Sequence, residues 1–354
     1  MTRFFSEKYK TLKPYVPGEQ PSDMKYVKLN TNESPFPPPA AVIAATEAEA
    51  KRMHLYPPPE PRALYEKFAA VTGVDPDCVI ATNGSDEILN FAFMAFCDEN
   101  TPAVFPDITY GFYKVFAELN GVPYLTLPLK DDFTVGVNDY IGVNKTVFIA
   151  NPNAPTGIAL PLSEIERIVA GNPDNVVVVD EAYVDFGAES AAKLTKKYKN
   201  LLVTQTFSKS RSMAGAWLGF GIACRELIND LNTVKYSTNP YNVNRMTQAA
   251  GSAILDLDGE VKENCRVIAE NRRYLSDCLH SLGFTLTDSS ANFVFARHKS
   301  VPGGSLYLEL KKKGVLVRHF DDERIKDYNR ITVGSREEIN ILLEKIREIT
   351  EGTK

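Results

Sequence analysis

Cysteine is scarce in this chain and follows no pattern. The five residues Cys78, Cys97, Cys224, Cys265 and Cys278 are odd in number and show no C-x-x-C spacing. A disulfide framework is thereby disfavoured, and the thiols read as reduced core or surface groups. Histidine is as sparse: His54, His280, His298 and His319 fall at none of the spacings that hold zinc. No apolar run reaches the ~18 residues of a membrane span, and the opening Met1-Thr-Arg-Phe-Phe-Ser-Glu-Lys lacks the apolar core of a signal peptide. A cytoplasmic setting with no membrane partner is expected. A dominant charge is also missing. Forty Lys and Arg against 45 Asp and Glu leave a formal net charge of -5, and the longest basic run is Lys311-Lys312-Lys313, so no nucleic-acid footprint is present. There is no Walker A motif and no G-x-G-x-x-G at a strand–helix junction, because Gly219-Phe-Gly221 lies inside a strand-like run.

What is present is a 354-residue chain with 44% apolar residues, enough for one large core and a second, smaller domain. Between Cys78 and Cys224, seven short apolar runs alternate with amphipathic or loop-like segments. They begin at Cys78, Ala103, Tyr124, Thr146, Val176, Leu201 and Leu218. Runs of Val, Ile and Leu without polar alternation suit strands covered on both faces, which predicts an α/β fold around a mostly parallel sheet. Ahead of it, Ser34-Pro-Phe-Pro-Pro-Pro-Ala40 favours extended backbone over helix. After Asn244 the pattern changes to long helical periodicity from Arg245 to Leu282, closed by Gly283. Strand-like runs at 292–296, 315–318 and 330–333 follow, then a helix opened by the capping pattern Ser335-Arg-Glu-Glu338. The expected division is an N-terminal arm (1–39), a large domain (40–244) and a small α+β domain (245–354). The arm is expected to lie on another part of the molecule or on a partner subunit.

The chemistry begins with two strand ends. Val176-Val-Val-Val-Asp180-Glu-Ala-Tyr183 places an acid at the end of one run, and Leu201-Leu-Val-Thr followed by Phe207-Ser208-Lys209 places a lysine beyond the next. A lysine can form a Schiff base with the aldehyde of pyridoxal phosphate. A carboxylate that keeps the pyridine nitrogen protonated makes the ring an electron sink. Each residue alone has an ordinary reading: Lys209 as a solvated surface group, Asp180 as a cap. Three further loops follow strands. Gly84-Ser85-Asp86 opens a helix whose N-terminus suits a phosphate, with simple capping by Ser85 or Asp86 as the plain alternative. Tyr110 sits where an aromatic ring stacks on a flat cofactor or packs as core. Asn151-Pro-Asn153-Ala154-Pro-Thr-Gly157 reads on its own only as a loop. Doubly wound sheets bind ligands at the C-terminal ends of their strands, where all five loops fall.

In that order, Gly-Ser-Asp, Tyr110, Asn-Pro-Asn-x-Pro-Thr-Gly, Asp-Glu-Ala-Tyr and Ser-Lys resemble a fold-type I pyridoxal-phosphate-dependent aminotransferase. Within that superfamily, Lys13-Pro-Tyr15-Val-Pro-Gly18, Leu29-Asn-Thr-Asn32-Glu-Ser-Pro35, Leu55-Tyr56-Pro57, Val317-Arg318 and Asn329-Arg330-Ile-Thr-Val-Gly334 resemble the histidinol-phosphate aminotransferases. The resemblance implies a seven-stranded large domain, pyridoxal phosphate as cofactor, and transamination between histidinol phosphate and 2-oxoglutarate in histidine biosynthesis. Threonine-phosphate decarboxylases and some aromatic aminotransferases share most of these motifs, and a cofactor-fold protein with little turnover is the alternative from another class. Lys209 is implied as the Schiff-base lysine and proton shuttle. Asp180 would face the pyridine nitrogen, Tyr183 the ring hydroxyl, and Tyr110 the ring face. Gly84, Ser85, Asp86 and Ser208 would lie near the cofactor phosphate, with Tyr56 reaching it from the second subunit of a homodimer. Arg330 would hold the substrate α-carboxylate, Arg318 with Tyr15 a distal phosphate or carboxylate, and Asn32 would lie near the substrate. Two positions depart from the family's pattern: Ala154 stands where an asparagine is implied, and Trp217 where an arginine is implied. Asn153 and Arg211 are expected to supply the missing cofactor contacts, the plain alternative for Arg211 being a solvated helix position.

Overall fold

The computed structural model describes residues 2–351. Thirteen strands occur in chain order among them. These are β1 (Val27–Lys28), β2 (Val79–Asn83), β3 (Ala103–Pro106), β4 (Tyr124–Leu127), β5 (Thr146–Ala150), β6 (Val177–Asp180), β7 (Leu201–Thr206), β8 (Leu218–Ile222), β9 (Phe284–Leu286), β10 (Phe293–His298), β11 (Val315–Leu316), β12 (Arg318–His319) and β13 (Asn329–Thr332). The helices are α1 (Ala40–Ala50), α2 (Arg62–Thr72), α3 (Gly84–Phe96), α4 (Phe112–Asn120), α5 (Leu162–Ala170), α6 (Arg225–Thr238), α7 (Arg245–Leu255), α8 (Asp258–Ser281), α9 (Gly303–Lys312) and α10 (Arg336–Glu351).

The seven apolar runs of the sequence form one sheet in the order β2-β8-β7-β6-β5-β3-β4. All neighbours are parallel except β8, which is antiparallel to both β2 and β7. Successive residues of its central strands enter different cores, as a pleat requires. Val147, Ile149, Val177, Val179, Leu201 and Val203 pack with Phe68 of α2, Ile165 of α5, Ile254 of α7 and Ile268 of α8. Phe148, Val178 and Leu202 pack with Ile88 of α3, Phe116 of α4 and Leu231 of α6. Burial on both faces is the reason these strands show no polar alternation. Each such side chain contributes about 1.5–3 kcal/mol relative to exposure. Helix α7 packs against α1 and α2.

The second sheet has the order β12-β13-β10-β9 and is antiparallel throughout. Beside it β1 pairs in parallel with β11, and Thr332 N donates to Leu29 O at 2.9 Å, so segment 27–32 runs along the small sheet towards the large one. The closing helix has the capping box read from the sequence: Ser335 N donates to Glu338 Oε2 (2.7 Å) and Glu338 N to Ser335 Oγ (3.2 Å). Among the described residues no helix is long and apolar enough to cross a membrane.

Candidate active site

One cavity lies at the C-terminal edge of the large sheet and is closed on its other side by the small sheet. Residues from both sheets line it, including Tyr15, Asn32, Ser85, Asp86, Tyr110, Asp180, Tyr183, Ser208, Lys209, Trp217, Arg318 and Arg330. The topology explains the convergence. Parallel strands β3, β5, β6 and β7 end at this edge, and β8, running the opposite way, starts there with Leu218 opposite Asn83. Trp217, immediately before β8, is therefore delivered to the same rim as Lys209, which follows β7.

At the floor, Asp180 is 4% exposed. Tyr113 Oη donates to its Oδ2 at 3.0 Å, while Ala182 N (3.2 Å) and Thr204 Oγ1 (3.3 Å) donate to Oδ1. Burial pushes its carboxyl up to about 6, against the lowering effect of those donors and with a further rise from nearby Asp86. A cation placed against it would restore the charged form, as a protonated pyridine nitrogen does. Lys209 Nζ donates to Thr31 O at 3.2 Å. Tyr183 Oη accepts from Asn32 Nδ2 at 2.9 Å. Asn32 adopts a left-handed φ of 56°, which Asn tolerates better than most residues, and is pinned there by Thr332 and Asn292.

The α3 wall is built from the first turn of that helix. Gly84 has φ 66°, and a Cβ there would lie 2.7 Å from the Trp217 indole; a Cβ on Gly219 would lie 2.2 Å from the Gly84 carbonyl carbon. Only glycine at both positions lets β8 and its leading tryptophan pack against the helix start. The N-cap residue Asn83 makes no side-chain cap, and Glu87 Oε2 accepts from Asn83 N at 2.8 Å. Ser85 and Asp86 lie inside the helix, and Asp86 instead accepts from Tyr110 Oη at 2.7 Å. Plain capping is thus not what these residues do; Ser85 and Asp86 instead line the cavity at a helix start, where an anion is favoured.

On the opposite wall, Arg318 and Arg330 are directly opposed partners of antiparallel β12 and β13, so their side chains leave the same face of the sheet. Arg330 Nη2 donates to Asn30 O (3.0 Å), while its Nε is buried without a hydrogen-bond partner among the described residues. Burial lowers its pKa, and neighbouring Arg318 adds to the lowering. Arg318 donates through Nη1 to Pro17 O (3.1 Å) and through Nη2 to Val16 O (3.0 Å), tying the arm to the small sheet. Tyr15 stacks on Phe112 with ring centroids 4.2 Å apart.

Three residues expected at the site lie off the cavity surface. Asn153 does not face the cavity: its amide donates to Ile108 O and Thr156 Oγ1 and accepts from Thr109, so it is consumed in holding its own loop. Arg211 is buried, but its Nη2 pairs with Asp258 Oδ1 at 2.8 Å and its guanidinium lies over Phe207, lining a separate groove beside α8. A buried guanidinium needs a counter-ion, and Asp258 supplies it. Gly84 is behind Trp217 rather than on the cavity surface. Tyr56, expected in a partner's site and not in its own, is 77% exposed and stacked on Tyr241. The sequence reading also missed the partners that fix Asp180. Tyr113 stands three residues after Tyr110 on the opening turn of α4, and the aromatic run Tyr110-Gly-Phe-Tyr113 is the signal that could have found it; Thr204 carries no signal.

Comparison with known proteins gives the same picture. Residues 24–346 match the family "Aminotransferase class I and II". The chain is 46% identical to a histidinol-phosphate aminotransferase of Brachyspira hyodysenteriae, over 99% of this chain and 100% of that protein. It is also 46% identical to histidinol-phosphate aminotransferase 1 of Bradyrhizobium diazoefficiens, over 99% and 100%. The crystal structure of a histidinol-phosphate aminotransferase from Sinorhizobium meliloti, in complex with pyridoxal-5'-phosphate, superposes with a TM-score of 0.90 over 100% of this chain and 99% of that one, at 22% identity, which shows the shared fold. The five loops at the sheet edge, the matched family and the full-length identities agree: this chain belongs to the histidinol-phosphate aminotransferases, within the class I and II aminotransferases.

Proposed function

We propose that the chain exchanges an amino group between histidinol phosphate and imidazole-acetol phosphate, with glutamate and 2-oxoglutarate as the other pair, in the cytoplasmic synthesis of histidine. The observation that carries this reading is the Arg318–Arg330 pair. Two like charges directly opposed across strands repel, and one of them keeps a buried unpartnered nitrogen. An anionic substrate group between them removes both costs. Histidinol phosphate has no carboxylate; its phosphate lies one methylene from the amine-bearing carbon, near where an amino acid carries its α-carboxylate, so both kinds of substrate use Arg330 and the larger phosphate alone extends to Arg318 opposite it. The buried carboxyl of Asp180, the amine of Lys209 and the start of α3 fit the pyridine nitrogen, aldehyde and phosphate of pyridoxal phosphate, in that order.

When bound, the cofactor supplies an electron-withdrawing ring that stabilises negative charge at the substrate Cα. Asp180 holds the ring nitrogen charged, and Tyr113 and Thr204 hold Asp180. Tyr183 Oη, oriented by Asn32, donates to the ring hydroxyl, and Tyr110 covers the ring face. Lys209 Nζ moves the proton at Cα. Tyr56 supports a homodimeric active unit. Its backbone is anchored by Arg245 Nη1 to Tyr56 O (3.1 Å), and its loop by Gln248 to Pro58 O and Lys235 to Pro59 O (both 3.0 Å). A ring so firmly based yet so exposed suits a role in the partner's site. Five free thiols suit a reducing compartment.

The test is single-turnover reaction of the cofactor-loaded protein with histidinol phosphate, phenylalanine and phosphothreonine, followed by the cofactor's absorbance. Histidinol phosphate is expected to react fastest, and Arg318→Ala to slow it about tenfold or more beyond any effect on phenylalanine, the worth of one charge-assisted contact. Release of carbon dioxide from phosphothreonine, or equal losses on both substrates, would refute the assignment.

A further inference from the structure

Among the described residues lining the cavity, the cations are Lys209, Arg318 and Arg330. Arg318 and Arg330 stand on the small-sheet wall, and Lys209 is engaged with Thr31 O. The α3 wall, where a phosphate would meet the helix start, is lined by Ser85, Asp86, Thr206, Ser208 and Trp217. Its donors are hydroxyls, backbone N–H groups and one indole; its only charged side chain is an acid. The expected substitute, Arg211, is committed to Asp258.

Trp217 is held in this place by the backbone. Its φ of 53° is a left-handed conformation that bulky side chains seldom adopt. Its N–H donates to Met213 O at 3.1 Å, and the next residue enters β8, so the turn over 213–217 fixes where the side chain goes. The indole lies on Gly84, and the residue, 55% exposed, lines the cavity. An indole offers at most one neutral N–H; an arginine offers five donors and a charge.

We propose that Trp217 sets how tightly this chain holds its cofactor: it occupies the phosphate end of the cavity and leaves the anion to neutral donors and the α3 dipole alone. The inference rests on the cofactor reading given above. Two consequences follow. Arginine at 217 tightens the grip on pyridoxal phosphate through its phosphate alone. And Trp217, the only tryptophan in the chain, reports the arrival of the cofactor directly.

The experiment titrates cofactor-free full-length protein with pyridoxal phosphate and, separately, with pyridoxal, which lacks the phosphate. Occupancy is followed by absorbance of the lysine-bound chromophore and, in the parent chain, by tryptophan fluorescence. Fluorescence in the parent is expected to quench in parallel with absorbance. Trp217→Arg is expected to bind pyridoxal phosphate about ten- to a hundredfold more tightly, as for a hydrogen bond from a charged group, with pyridoxal affinity unchanged. Trp217→Phe is expected to lose at most about tenfold, the worth of one neutral hydrogen bond. The proposal is overturned by unquenched fluorescence at full occupancy, by unchanged affinity in Trp217→Arg, by an equal gain for pyridoxal, or by tightening in Trp217→Phe. Absence of any chromophore in all three chains at saturating cofactor would refute the reading of the site itself, a distinct failure.

Discussion

The two walls of the cavity receive negative charge by different means. On the small-sheet wall, Arg318 and Arg330 project from paired strands, one tied to Val16 and Pro17 and the other to Asn30, and present guanidinium groups of fixed orientation. On the α3 wall the donors are a helix start and hydroxyls, with an indole beside them. The difference is one of how charge is stored. A buried guanidinium carries a desolvation cost whether or not the substrate is present, visible in the lowered pKa of Arg330. Backbone dipoles carry no such cost, and they attract less strongly. On the proposed reading, a substrate that must enter and leave at every turnover would be met by the costly, strong wall, and the α3 wall would rely on a covalent link to Lys209 to retain what it holds.

The largest expected effect lies at that link. Lys209→Ala should reduce transamination on the order of 10⁴-fold or more, since one group performs both attachment and proton transfer. Borohydride reduction and peptide mapping check it; a pyridoxyl label on another lysine would break the contrast between the walls at its root. Next is Arg330→Lys, expected to lower kcat/KM about ten- to a hundredfold for glutamate and histidinol phosphate alike, because an ammonium cannot reproduce the fork. An unchanged rate with either substrate would move the strong wall elsewhere.

The floor between the walls offers a pH test. The carboxyl of Asp180 is raised to about 6 in the folded protein from an ordinary 3.8. The folded state therefore keeps a proton that the unfolded chain has lost, and stability falls as pH rises through that window. The shift corresponds to about 2–3 kcal/mol. In cofactor-free protein, Asp180→Asn should gain stability over the parent between pH 4 and 6 and hold the gain above it; buried Glu181 is common to both chains and cancels. Urea unfolding across pH measures this, and a constant difference would show that Asp180 is charged throughout. The smallest effect on the site is expected from Arg211→Ala. It should destabilise the fold by about 2–3 kcal/mol, through loss of a largely buried pair with Asp258, and leave pyridoxal-phosphate affinity unchanged. Thermal unfolding and cofactor titration on the same variant separate the two, and a loss of affinity would return Arg211 to the α3 wall.

Residues whose role follows from strand ends were legible in the sequence. Asp180 and Lys209 close apolar runs, and a run buried on both faces can only be a central strand, so both fall at the same sheet edge. Ser85 and Asp86 were legible as a helix start, though not their freedom from capping duty, which depends on Tyr110 reaching Asp86 from another loop. Asn153 and Arg211 were misplaced for one reason. Their neighbours in sequence point to the cofactor, while their hydrogen-bonding needs are met by groups distant in sequence, Ile108 and Thr109 for one and Asp258 for the other.

By itself the sequence determined the two-layer covering of the large sheet, the order of its strand-end loops and which side chains stand as candidates for the chemistry, because periodicity and turn chemistry are local properties of the chain. Only the tertiary structure decided which face of the small sheet Arg318 and Arg330 share, where the guanidinium of Arg211 finds its counter-ion, and that antiparallel β8 brings Trp217 onto Gly84. Strand direction and register are settled by pairing across long separations, as between Asn83 and Leu218, and no local pattern encodes them.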